Sequence, residues 1–342
     1  MAGRRRASKK RPWWAGLPLD DLLDIRICDL EISLEGTALE HRIETLFEDF
    51  ERRGLRFRPH VWLSSEWFSP DAIMGFAIPF FLAHPRLARL ERSQMLQVEG
   101  GGHLECLRLM RHESGHAIDN AYRLRRRKRF RELFGKASEP YHDSYAPKTT
   151  SRRFVRHLDL WYAQSHPLED FAETFAVWLT PRSAWRRRYD GWPVLEKLEY
   201  VDELMTEIAD VAPPVRSRAR PSRVSTLKQT LREHYEEKKS HYESETTGVY
   251  DRQLRRLFSE TRGRSAARFW REQAREIRDQ VARVTSHHPY TVKQVIDALE
   301  VRSRELGLRC GRVSRSKIAD AAVLVTMLTV RIDSGGRSEF MR

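Results

Sequence analysis

The chain has 342 residues, is 40% hydrophobic and 32% charged, and carries a formal net charge of +14. That length suits two domains, or one domain with a large extension, around a sizeable core. Its three scattered cysteines, Cys28, Cys106 and Cys310, exclude a disulfide framework and a cysteine zinc ribbon and suit a reducing, cytoplasmic setting.

The charge is uneven along the chain. Residues 1–12 hold six Arg and Lys and no acid, and read as a disordered basic arm; no apolar run follows, so it is not a secretory signal. Residues 13–210 sum to −4 and residues 211–342 to +12. The two basic ends could bind nucleic acid or another anionic partner. The apolar run at 321–330 is too short to span a bilayer, which predicts no membrane span.

In chain order, 20–50 is predicted to be mostly helical, with Leu39, Ile43, Leu46, Phe47 and Phe50 forming a 3.6-residue stripe. Residues 56–63 alternate like a strand. A second extended run at 73–82 holds Gly75 and Pro79, and Pro79 suits an edge strand, where a peptide could be held by strand addition. Gly100-Gly101-Gly102 then marks a break before a helix.

That helix contains His112-Glu113-Ser114-Gly115-His116. Positions i and i+4 lie one turn apart on one face, so two imidazoles can share a metal ion while the intervening Glu113 reaches a water beside it. Seven basic residues between Arg123 and Arg131 follow and suit a solvated helix end. Residues 135–153 read as loop.

The next helix opens at Ser165-His166-Pro167-Leu168-Glu169-Asp170. Ser165 is the expected cap, Pro167 suits the first turn, and the acids complement the helix dipole. Glu169 and Glu173 share a face, one of them suited to ligate a metal and the other to hold a ligating His. Another amphipathic helix spans 194–208, and a Pro/Arg-rich stretch at 211–224 marks a linker. Basic helices are predicted at about 225–242, 248–284, 291–306 and 314–330, with Thr291 capping the third and Gly307 ending it.

With these residues in place, the chain resembles the gluzincin type of zinc metallopeptidase. More closely, it resembles a bacterial family described as "putative zinc-binding metallopeptidase". The resemblance rests on three ordered segments: residues 112–116, Arg131-Glu132-Leu133-Phe134-Gly135, and Ser165 to Thr174. It covers about 55–210. Phe171 stands where Trp is usual, and the zinc ribbon of many relatives is missing. The resemblance implies zinc as cofactor, with His112, His116 and Glu169 as ligands, Glu113 as general base and Glu173 supporting a ligand; Glu173 is the alternative third ligand. It suggests Tyr162 as the donor to a developing oxyanion, with His166 as the alternative.

The expectation is therefore an α+β, zincin-like metallopeptidase domain over 13–210, a linker at 211–224 and a basic α-helical region over 225–342. The expected activity is hydrolysis of a protein or peptide substrate. The alternative is a nucleic-acid-associated protein acting through its basic C-terminal helices.

Overall fold

Apolar stripes at helical spacing dominate the chain, and helices dominate the fold. The computed structural model describes residues 11–141, 148, 150–241, 251–259 and 263–335, so most of the arm expected over 1–12 lies outside the described residues. The chain opens with α1 (Leu19–Leu23), α2 (Ala38–Arg52), strands β1 (His60–Ser64) and β2 (Gly75–Pro79), and α3 (Pro85–Met95). α4 (His103–Tyr122), α5 (Lys128–Phe134), α6 (Pro167–Leu179), α7 (Trp185–Arg188) and α8 (Val194–Ile208) follow. Then come α9 (Leu231–His241), α10 (Asp251–Leu257), β3 (Arg264–Ser265), α11 (Ala266–Thr285), α12 (Pro289–Glu305), β4 (Arg309–Cys310) and α13 (Arg315–Gly335).

Two predicted helices are broken. The first, over 20–50, is interrupted where Glu31 and Gly36 take positive φ angles of 49° and 66°, and Thr37 restarts it by accepting the Leu39 N–H at 3.2 Å. The second, over 248–284, breaks before the antiparallel β3–β4 pair. There Gly263 has φ 105°, and a Cβ on it would sit 2.1 Å from the Cys310 carbonyl oxygen.

β1 and β2 pair in parallel, from His60 beside Gly75 to Ser64 beside Pro79. The pairing demands Gly75, since a Cβ there would lie 2.0 Å from the His60 carbonyl oxygen. The Pro/Arg-rich stretch lies against this sheet. Ser217 accepts the Met74 N–H, Pro221 accepts the Trp62 indole at 3.1 Å, and Ser222 accepts the Ser64 hydroxyl at 2.6 Å.

The first hydrophobic core continues beyond this stretch to Val224, Leu231 and Tyr235, and a second core runs from Leu254 to Leu328. Part of the segment expected as a linker over 211–224 thus lies against the first core, which reaches Tyr235, and the second core begins at Leu254. Proline extends the backbone there, but the segment's carbonyls find partners on the first core. Among the described residues, no helix is long and apolar enough to cross a membrane.

Three helices start alike, on a His-Pro pair. His84, His166 and His288 each precede a proline at the first helical position, and each ring Nδ1 accepts the N–H two residues on, from Arg86, Leu168 and Tyr290 at 3.1 to 3.2 Å. His166, not Ser165, therefore caps α6, and His288, not Thr291, caps α12. Ser165 instead donates to the Tyr162 carbonyl. At the other end of α12, Gly307 has φ 62° beyond the last turn.

The run Arg123–Arg131 is largely spoken for by acids. Arg125 pairs with the buried Asp119 and with Asp71, Arg127 with Glu207 and Arg129 with Glu203. Deeper in the core, Arg111 of α4 donates twice to the buried Asp49 of α2, at 2.7 and 2.9 Å. Breaking such a pair by removing one partner costs about 3–5 kcal/mol.

α4 and α6 pack tightly at Gly115, where a Cβ would lie 2.7 Å from the Ala172 Cα. A Gly115→Ala substitution is expected to force the helices apart and lower unfolding free energy by about 1–3 kcal/mol, read as a fall in the urea midpoint. An unchanged midpoint would show that the crossing has room to spare.

Candidate metal centre

α4 is buried on most of its circumference, which brings polar side chains of the His-Glu-x-x-His segment into the interior. His112 and His116 stand one turn apart, with ring centroids 4.9 Å from each other and planes at 77°. Their Nε2 atoms approach to 3.2 Å. From α6, Glu169 Oε2 lies 3.0 Å from His112 Nε2 and 3.1 Å from His116 Nε2.

Three ligand-type atoms thus converge on one point, and the three residues form a possible metal-holding group. Donors bound tetrahedrally at about 2.0–2.2 Å would be separated by about 3.3–3.6 Å, a few tenths of an ångström beyond the spacings found. Two neutral nitrogens and one carboxylate oxygen are the donor set that suits zinc while leaving a fourth position open.

A second set of contacts orients the first. His112 Nδ1 donates to Glu173 Oε1 at 2.8 Å, which leaves Nε2 facing the centre. Glu173 Oε2 accepts the Leu158 N–H at 2.7 Å. The outer oxygen of Glu169, Oε1, accepts the Tyr141 hydroxyl at 2.9 Å.

The electrostatics follow from this crowding. Burial alone would lower the basicity of His112, but Glu169 and Glu173 outweigh it and carry the imidazole well above its usual range. Burial would likewise raise Glu169, yet His116 and His112 hold it well below the carboxylate range. Burial pushes Glu113 up, against the opposing charges of the two histidines. A proton is thereby favoured on His112 and Glu113 and disfavoured on Glu169.

The remaining expected residues fall in different places. Glu113 is buried beside the histidines and feels the charges of His112, His116 and Glu169. Tyr162 lies with its ring 5.6 Å from that of His112. His166 is unsuited to the oxyanion role suggested for it, because both ring nitrogens are engaged: Nδ1 caps α6, and Nε2 donates to the Glu139 carbonyl at 2.9 Å.

His166 supports the centre only indirectly, by stacking on Tyr141 with ring centroids 3.8 Å apart. Tyr141 itself escaped the sequence reading. It sits in a segment with the composition of a loop, where nothing local separates it from Tyr145.

Residues 102–187 match the family described as "Putative zinc-binding metallo-peptidase", a span that contains α4 and α6 whole. It is narrower than the 55–210 covered by the resemblance in sequence. No curated protein and no solved structure matches the chain.

Glu173 holds two buried donors at once. Glu173→Ala is expected to orphan the Leu158 N–H and the His112 Nδ1–H, and to cost about 2–6 kcal/mol at roughly 1–3 kcal/mol for each donor. Denaturant unfolding of metal-stripped protein measures this. A loss below about 0.5 kcal/mol, the scale of an ordinary surface substitution, would mean that Glu173 is not what orders the 156–159 segment.

Proposed function

We propose, from the premise that residues 102–187 belong to this zinc-binding metallopeptidase family, that the chain is a zinc-dependent peptidase acting on a protein or peptide substrate. The observation that carries the reading is the convergence of His112, His116 and Glu169 on one point, with Glu113 buried beside it. A zincin-like arrangement is part of the proposal: a small sheet, a helix carrying the His pair and a second helix supplying the acid.

In this reading His112, His116 and Glu169 hold zinc, and Glu173 fixes the His112 ring. When bound, zinc polarises the scissile carbonyl and lowers the pKa of water toward about 7. Glu113 accepts the proton of the attacking water and delivers it to the leaving amine. Its burial raises its proton affinity, which suits that exchange.

Tyr162, whose ring lies 5.6 Å from that of His112, is assigned the role of donor to the developing oxyanion. The alternative of nucleic-acid binding through the C-terminal helices is weakened by local pairing of their cations, as in Arg302 with Asp251, Arg268 with Glu272 and Arg304 with Glu300.

Elemental analysis tests the metal. About one zinc per chain is expected in the parent and in Glu113→Gln, and strong depletion in His116→Ala and Glu169→Gln. Peptide hydrolysis should vanish in Glu113→Gln although its zinc remains. A parent that takes up no zinc, or a Glu113→Gln variant with parental activity, would sink the proposal. Tyr162→Phe should retain zinc and lower kcat by about 10²–10³ with little change in KM. An unchanged kcat would remove Tyr162 from the chemistry.

A further inference from the structure

A cleft of about 560 Å³ shares a wall with the metal centre. One lining residue is Leu158, whose N–H holds Glu173. The cleft is strongly basic: Arg108 and Arg111 reach it from α4, Arg156 from the segment ahead of α6, and Arg188 from the end of α7. Arg111 is neutralised by its paired hydrogen bonds to Asp49. Among the described residues that line the cleft, Asp159 is the one carboxylate; it is largely exposed and 3.8 Å from Arg108. Among the residues that line the cleft, Arg108, Arg156 and Arg188 thus bring three positive charges against that one solvated acid.

Two further donors line the same space. The Trp161 indole N–H and the Ser183 hydroxyl are buried and have no hydrogen-bond partner. Burying such groups without an acceptor opposes folding, so each calls for an explanation. Trp161 also sits at φ 53°, an uncommon conformation for a residue with a Cβ, and strain of that kind concentrates at binding sites.

An arginine side chain and an indole can only donate. The matching ligand group is an acceptor with several oxygens and a charge near −2, which a phosphoryl group provides; guanidinium forks fit it in bidentate fashion. A bare ion would leave most of the cleft empty, while its volume falls in the range that holds small organic ligands. The Val177 side chain and the Trp161 ring add apolar wall.

We propose that this cleft binds a small phosphorylated organic molecule, with its phosphoryl group held by Arg108, Arg156 and Arg188 and by the Trp161 and Ser183 donors. The proposal does not depend on the peptidase reading, since none of these residues belongs to the metal centre.

The test is titration calorimetry of the full chain, near physiological ionic strength, with adenosine monophosphate, ribose 5-phosphate, phenyl phosphate and inorganic phosphate as probes. At least one ester should bind, and more tightly than inorganic phosphate. Arg156→Gln and Arg188→Gln, both at exposed positions, should each weaken it by about ten- to a hundredfold. Arg129→Gln removes the same charge from a residue paired with Glu203 outside the cleft, and should leave binding unchanged. Failure of all three esters, binding no tighter than that of inorganic phosphate, or an equal loss in Arg129→Gln would each overturn the proposal.

Discussion

The close approach of α4 and α6 is the constraint on which the centre depends. Neither helix assembles it alone: the imidazoles come from α4 and the carboxylate from α6. Gly115 lies between the two histidines in sequence, and its missing Cβ is what lets the Ala172 backbone come so near. A bulkier residue there would separate His112 and His116 from Glu169 while leaving both helices intact as helices. The glycine is therefore as much a part of the site as the groups that face its centre.

Burying that crossing obliges the protein to balance charge in its interior. Every residue of α6 from Leu168 to Leu179 is buried, including three carboxylates. Glu169 faces two imidazoles and the Tyr141 hydroxyl, and Glu173 takes His112 and the Leu158 N–H. Asp170 is held by Lys197, although burial still pushes it up to about 7. Asp119 with Arg125 and Asp49 with Arg111 repeat the pattern on α4. Such pairs contribute little net stability, yet losing one partner is costly, so they favour a single arrangement of the helices.

Further out, side-chain packing and backbone pairing decide what belongs to which core. The stretch from Val215 to Ser222 has the composition of a linker, yet it hydrogen-bonds to α4, to β1 and to Met74 just ahead of β2. α9 then packs Leu231 and Tyr235 into the first core, while the helices from Leu254 onward close around a second. Hydrophobic periodicity finds such helices but carries no label for the core they join.

The sequence by itself determined the helical character of the chain, the pairing of His112 with His116 on one face, and the candidacy of Glu169 and Glu173. Each follows from local periodicity, because i and i+4 meet on any α-helix. It also contains the His-Pro starts of three helices, at two of which the neighbouring Ser165 and Thr291 are the more familiar cap residues. Tertiary structure alone decided that Glu169 faces both imidazoles while Glu173 stands behind His112, that Tyr141 reaches the centre from a loop, and that the second ring nitrogen of His166 is taken by the Glu139 carbonyl. The physical reason is common to all three. Which oxygen or ring meets which partner depends on the relative placement of segments dozens of residues apart, and that placement is set by one glycine-mediated crossing and the surrounding core, not by spacing along the chain.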